Sequence, residues 1–192
     1  AFGGPIPTPQ SFTCITVNKM TTLPFCNLSG YEWSILVTHL SGEDILQLHR
    51  TGNAHLSCML YKVVSALSFE YISSIHLGSL QFYSRLTSLS VTGENDSITD
   101  AGLTHLPRTL TSLNLAFNRN ITDAGLTHLP RTLTYLVLNY NENITDAGLA
   151  NLPRTLTYLV LNYNENITDA GLTNLPSTLT YLNLDRSENI SD

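Results

Sequence analysis

The chain has 192 residues, 42% of them hydrophobic, and a formal net charge of −6, enough for one ordinary domain or for a small domain followed by an array. Its nine Lys and Arg residues are scattered and form no footprint for nucleic-acid phosphates, and its longest apolar run, 58–69, is broken by Lys62 and too short to span a bilayer. The cysteines, Cys14, Cys26 and Cys58, are odd in number and loosely spaced, which fits neither a disulfide framework nor a zinc site and points to a reducing, intracellular compartment, cytoplasm or nucleus.

Residues 1–30 read as an extended or disordered lead-in, with Pro5, Pro7, Pro9 and Pro24 among polar residues. The alternation in Phe12–Val17 would allow one short strand. Residues 31–61 have helical spacing instead. Trp33, Leu36, Val37 and Leu40 share a face, Ser41–Asp44 is a break that offers a new cap, and Ile45, Leu46, Leu48, Leu56, Met59 and Leu60 form two further amphipathic pieces parted near Thr51-Gly52-Asn53. One role for this region is a cap over the open end of the array that follows, since stacked arrays need their end cores covered.

From residue 62 to 192 the chain reads as an array. Val64–Phe69 has the look of a degenerate first strand, the helix-like Ile72–Leu80 follows, and Leu86-Thr-Ser-Leu89-Ser-Val91 is the next strand. From there the chain repeats itself. Ile98, Ile121, Ile144, Ile167 and Ile190 open the same phrase at intervals of 23 residues, and windows 133–155 and 156–178 differ only at Ala150/Thr173 and Arg154/Ser177. A fixed period with leucines in register means a solenoid. The chain begins at Ala1 and breaks off at Asp192 within a fifth copy of the phrase, so we expect the array to be C-terminally incomplete and the chain to be a piece of something longer.

One repeat shows how the coil should build itself. Leu136 and Leu138 alternate with Tyr135, Val137 and Asn139, which predicts a strand with one buried face, and Leu133 packs inward just ahead of it. Asn141 recurs as Asn118 and Asn164. It is expected to turn its amide inward and bond the backbone of the turn, because buried polar groups must be paired. Asp146 or Thr145 is an N-cap for a short helix. Leu149 and Leu152 share its buried face, and Pro153 stops it. So short a helix has no stability of its own. Gly148 weakens it further, which suggests a close approach between coils at that point.

Little here resembles catalytic chemistry, and we expect no enzyme, no cofactor and no metal. His105 and His128 hold equivalent positions, but the next copies carry Asn151 and Asn174, a drift no metal site tolerates; His39, His49 and His55 have no ligand partners at metal spacing. Asp100, Asp123, Asp146 and Asp169 form a regular column, which suits capping; acid–base work needs two carboxylates in unlike surroundings. Asn27, Asn95, Asn120, Asn143, Asn166 and Asn189 each head an N-x-S/T sequon, but most of these follow from the repeat phrase itself.

The phrase L-x-x-L-x-L-x-x-N-x-x-I-T-D-x-G-L, over roughly residues 86–192, resembles the leucine-rich repeat. Its ITDAGL half is similar to the cysteine-containing subtype found in F-box/leucine-rich-repeat proteins, with asparagine where that subtype often has cysteine. LPRTL, in place of a longer helix, is similar to the short repeats of bacterial effector proteins. The resemblance implies a right-handed α/β solenoid with a parallel concave sheet. It also implies that the non-leucine strand positions line the concave face. The columns there would be Ser112, Tyr135, Tyr158, Tyr181; Asn114, Val137, Val160, Asn183; and Phe117, Tyr140, Tyr163, Arg186. Tyr and Arg dominate the energetics of interfaces, so these columns are the candidate surface for a protein ligand.

A second resemblance falls on 31–61. Ile35-Leu-Val-Thr-His-Leu40-Ser-Gly-Glu-Asp44-Ile-Leu-Gln-Leu48 is similar to the core of an F-box, I-L-x-x-L-x-x-x-D-L-x-x-L, with Leu23-Pro24 about five residues upstream of the usual opening Leu-Pro, Thr51-Gly52 in place of Val-Cys, and no later tryptophan. It implies that Ile35, Leu36, Leu40, Asp44, Ile45 and Leu48 dock a cullin-linked adaptor, and that the chain is a substrate receptor of a ubiquitin ligase. The alternatives are a leucine-rich-repeat recognition or scaffold protein unconnected to ubiquitin, inside the cell or at its surface, and a structural or ice-binding array built on the Thr and Asn columns.

Overall fold

The computed structural model describes residues 66–69, 80–92 and 98–191. The lead-in 1–30, the region 31–61 with Ile35, Leu36, Leu40, Asp44, Ile45 and Leu48, most of the helix-like stretch 72–80 and the three cysteines lie outside the described residues.

Strands β1 (Ala66–Phe69) and β2 (Ser88–Val91) are followed by alternating short helices and strands: α1 (Asp100–Leu103), β3 (Ser112–Asn114), α2 (Asp123–Leu126), β4 (Tyr135–Val137), α3 (Asp146–Leu149), β5 (Tyr158–Val160), α4 (Asp169–Leu172) and β6 (Tyr181–Asn183). The strands form one six-stranded sheet in sequence order. All pairs are parallel, with Leu67, Leu89, Leu113, Leu136, Leu159 and Leu182 in register. Parallel pairing in sequence order follows when every coil turns the same way, each α segment carrying the chain back to the next strand. Among the described residues no helix is long and apolar enough to cross a membrane.

The core is a single stack between sheet and helices. In the central coil Leu133, Leu136, Leu138, Ile144, Leu149 and Leu152 are all buried, and so are their counterparts in the coil before; in the coil after, Leu156, Leu159, Leu161 and Ile167 are buried while Leu172 and Leu175 are only partly so. Each such side chain contributes up to about 1.5–3 kcal/mol by leaving water, far more than a helix of four residues could supply through its own hydrogen bonds. Among the strand leucines the expectation of burial fails at the last strand. Leu182 is 38% exposed and Leu184 only partly buried, whereas Leu159 and Leu161 are fully buried. Within the described residues no further coil lies over β6, so its leucines have a neighbour on one side only.

The polar rows explain how one coil locks to the next. Asn118, Asn141 and Asn164 are fully buried. Asn141 donates from Nδ2 to the Leu115 carbonyl at 3.0 Å, and its Oδ1 accepts the Asn118 backbone N–H at 3.1 Å. Asn164 does the same one coil on, with the Leu138 carbonyl at 2.9 Å and the Asn141 N–H at 2.9 Å. The aspartates behave differently from the simplest expectation. Thr145, not Asp146, caps α3, accepting the Ala147 N–H. The Asp146 carboxylate instead reaches forward to the next coil and accepts the Thr168 N–H at 2.8 Å and the Thr168 hydroxyl at 2.7 Å. Asp100 and Asp123 make the same pair of bonds to Thr122 and Thr145.

This reach leaves space for nothing else. A Cβ on Gly148 would strike the Asp123 carboxylate, and Gly125 and Gly171 face Asp100 and Asp146 in the same way. The glycine of the phrase is there for the approach of the neighbouring coil. On the return turns a threonine row closes the seam, with Thr155 Oγ1 donating to the Leu133 carbonyl at 2.6 Å and Thr178 Oγ1 to the Leu156 carbonyl at 2.6 Å.

Leu138→Ala should lower unfolding free energy by about 2–5 kcal/mol in chemical denaturation, and Leu182→Ala by clearly less. Equal losses at the two sites would contradict a core whose burial depends on a coil on each side. Gly148→Ala should destabilise by roughly 1–3 kcal/mol through overpacking, while Ala147→Gly, at an exposed position of the same helix, should fall short of that by thermal melt.

Candidate functional site

The sheet face turned away from the core carries the columns singled out above. Tyr135, Tyr158 and Tyr181 are strand residues on that face. Their rings stack nearly parallel, with centroids 4.4 Å apart for the first pair and 4.1 Å for the second. Tyr135 and Tyr181 stand 37% and 43% exposed. Phe117, Tyr140 and Tyr163 form a second ladder on the turns that leave the strands, with centroids 4.4 and 4.2 Å apart. Arg186 closes it, its guanidinium carbon 5.6 Å from the centre of the Tyr163 ring, a cation–π contact.

The second ladder is held in place by its backbone. Phe117, Tyr140, Tyr163 and Arg186 all have positive φ, from 58° to 64°. That region costs a non-glycine residue roughly 1–2 kcal/mol, and four successive coils adopt it. The neighbouring chain compensates: the Phe117, Tyr140 and Tyr163 N–H groups donate to the Asn139, Asn162 and Asp185 carbonyls at 2.9, 3.0 and 3.2 Å. Sequence reasoning missed this. Asparagine tolerates the left-handed region better than tyrosine does, so Asn139-Tyr140-Asn141 offered two more natural places for it.

Between the ladders lies a floor. Val137 and Val160 are only 6% and 7% exposed and cluster with Ala116, with Phe117 and Tyr158 packed over them. These valines, expected among the contact residues of the face, support the aromatics from below. Ring stacking also changes what the face presents. The tyrosine faces are largely taken up by their neighbours in the ladder, so a ligand meets ring edges and hydroxyls.

The face has charged rims, of which sequence reading offered Arg108 and Arg131 as an alternative location for the site. Arg108, Arg131 and Arg154 are exposed on the turns that lead into the strands. Arg131 and Arg154 make one long bond each, 3.5 Å from Nη1 to the Asn151 and Asn174 carbonyls. Glu142, Glu165 and Glu188 are exposed on the turns that leave the strands. One ion pair is present there, Arg119–Glu142 at 3.6 Å, well solvated and worth little. Their shared 23-residue spacing was the signal that would have found both rims. His105 and His128 are exposed, and among the described residues no cluster of His, Cys, Asp and Glu is arranged to hold a metal ion.

A family model described as "Leucine Rich repeat" matches residues 107–129, 130–152 and 153–175. No curated protein sequence matches the chain. Among solved structures the chain is similar to an internalin (InlF) of Listeria monocytogenes, with 30% identity, coverage of 73% of this chain and 39% of that one, and a TM-score of 0.53. It is also similar to the leucine-rich repeat-containing protein LegL7 of Legionella pneumophila (24% identity, 65% of this chain, 49% of that chain, TM-score 0.49). A third is a structure of the Rad7 and Elc1 complex of yeast (19% identity, 79% of this chain, 49% of that chain, TM-score 0.46). The chain thus spans between 39% and 49% of the length of these solved chains. With its parallel sheet and short helices, the array is a leucine-rich-repeat solenoid.

The ladders have a titration signature. A hydrogen bond with Tyr163 holds the phenol of Tyr140 above the ordinary tyrosine value, and one with Tyr181 does the same for Tyr158. A native pKa raised above the unfolded one adds stability that is complete below the unfolded value and is lost as pH rises through the native value. Alkaline titration followed by phenolate absorbance should therefore show late-ionising tyrosines, and Tyr163→Phe should return Tyr140 towards the ordinary value. A titration curve unchanged by Tyr163→Phe would remove the hydrogen bond as the cause.

Proposed function

We propose that this leucine-rich-repeat array is a protein-recognition module that holds a protein ligand on its sheet face through the Tyr135–Tyr158–Tyr181 ladder and the Phe117–Tyr140–Tyr163–Arg186 ladder. The observation that carries this reading is the positive φ at Phe117, Tyr140, Tyr163 and Arg186. Backbone held in a sparsely populated region on the surface, coil after coil, points to a role beyond stability. Aromatic side chains set rigidly beforehand lose little conformational entropy when a ligand binds. Val137 and Val160 serve as the floor that keeps the rings in place, and the surface offers hydroxyl rows flanked by an arginine and a glutamate rim.

The finer reading is a substrate receptor of an F-box-type ubiquitin ligase, acting in the cytoplasm or nucleus. It rests on the spacing of Ile35, Leu36, Leu40, Asp44, Ile45 and Leu48. In that case the array supplies substrate specificity and the region 31–61 docks a cullin-linked adaptor. If 31–61 is instead a cap on the solenoid, the recognition module stands without ubiquitin.

Photo-crosslinking from the sheet face should capture a discrete protein ligand, and Tyr135→Ser with Tyr181→Ser should weaken that capture at least tenfold. Thermal stability should fall only modestly, since each lost aromatic stack is worth about 0.5–1.5 kcal/mol. Capture that survives this change but fails with Arg108→Ala and Arg131→Ala would move the site to the rim. The ligase reading has its own test. The full chain should co-purify with a cullin-linked adaptor, and Ile45→Asp should abolish this; an adaptor that ignores the wild-type chain sinks it.

A further inference from the structure

The sheet face is periodic along the stack. Its rows repeat at the coil spacing, about 4.8 Å, and over the central coils they repeat in register: tyrosine on tyrosine from Tyr135 to Tyr181, Val137 on Val160, Arg131 beside Arg154 and Glu142 beside Glu165, the rows changing type at the ends where Ser112, Asn114 and Asn183 stand. A matching surface must carry the same period, as the flank of an in-register parallel β stack does. A second copy of this chain carries it by construction.

Charge completes the match. The two edges of the face differ in charge, with Arg108, Arg131 and Arg154 where strands begin and Glu142, Glu165 and Glu188 beyond where they end, the latter row opened by Arg119, which pairs with Glu142. Consider a two-fold axis laid along the stacking direction, parallel to the face. It turns the second copy over and reverses its strands, but keeps its coils in the same order. In the two central coils Arg131 then lies over the other copy's Glu142 and Arg154 over its Glu165, while at the ends Arg108 meets Arg119 and Glu188 meets Ser177, and the Tyr135 ladder lies over the Tyr140 ladder. An axis along the strands would set arginine over arginine instead. Of these two arrangements, only the first is self-complementary.

We propose that the sheet face is the interface of a symmetric homodimer, two arrays packed face to face about an axis along the stack, with their arginine and glutamate rims paired in opposite sense. The inference rests on the reading of this face as an interaction surface and names one occupant of it. Six strands at the usual spacing and the flanking turns make a face of roughly 25 by 25 Å, so the pair buries roughly 1,200 Å², the lower end for a specific interface. Association is therefore expected in the micromolar range. The net charge of −6 opposes self-association, but over distances beyond a Debye length of about 8 Å at physiological salt that repulsion is screened. The rims meet at shorter range.

The test is charge exchange on the full chain, read by sedimentation velocity over the micromolar range. Wild type should dimerise. Arg131→Glu with Arg154→Glu should be monomeric, because acid then faces acid in both central coils. Glu142→Arg with Glu165→Arg should be monomeric, because base then faces base in both central coils. An equimolar mixture of the two variants should form a heterodimer at least as tight as wild type. Neutral versions, Arg131→Gln with Arg154→Gln and Glu142→Gln with Glu165→Gln, guard against misfolding and should weaken the dimer by about tenfold or more, with circular dichroism unchanged. A monomeric wild type overturns the proposal, as does a dimer indifferent to these changes or a pair of variants that does not combine. A wild type that stays monomeric yet binds preformed in-register fibrils would assign the periodic face to another occupant and also overturns it. Because ligand capture is measured separately, a monomer that still loses its ligand with Tyr135→Ser and Tyr181→Ser would leave the recognition reading intact.

Discussion

Each coil of this array is held by its neighbour through the carboxylate that reaches across the seam. Asp123 accepts two bonds from Thr145, the N-cap of the next coil, and the glycine two positions beyond Asp146 makes the space it passes through. The helix cap is thus shared: Thr145 bonds inward to Ala147 and backward to Asp123. A four-residue helix closed in this way depends on the coil before it. The repeat length has to be constant for the same reason, since a shift of one residue would take threonine and glycine away from the aspartate together.

The Asn118–Asn141–Asn164 ladder does the same work on the turn that leaves each strand. It provides partners for buried backbone groups that a turn of irregular structure would otherwise leave unpaired. With both ties made, stability runs along the stack and is close to a sum of coils and of the seams between them. The difference between Leu159, fully buried, and Leu182, over a third exposed, is the cost of a missing seam made visible in one coordinate.

The surface inherits its order from these seams. Nothing about Tyr135 or Tyr140 alone makes a ladder. They stack because the seams below repeat without error, so their rings come to rest 4.1–4.4 Å apart. Stacking is consistent with the positive φ of Tyr140 and its counterparts, because the same neighbours that hold the ring also accept the backbone N–H. A face made this way is stiff, and its chemistry is repeated rather than varied, which narrows the kinds of surface that fit it.

Periodicity by itself determined a good deal. The leucine columns, the inward asparagine and the tight glycine were all legible, because each is demanded locally at every repeat: a strand with alternate leucines buries one face, and a polar residue among them must find backbone partners; the parallel sheet came with the resemblance to the leucine-rich repeat. The F-box-like residues Ile35 to Leu48 lie outside the described residues, and their role stands on spacing alone. What only the tertiary structure decided concerns contacts between coils. That Asp146 serves the next helix and not its own, that Val137 and Val160 lie under the rings, and that tyrosine and not asparagine takes the left-handed turn could not be read from one repeat. Each depends on where the neighbouring coil sits, some 23 residues away along the chain and only one strand spacing away in space.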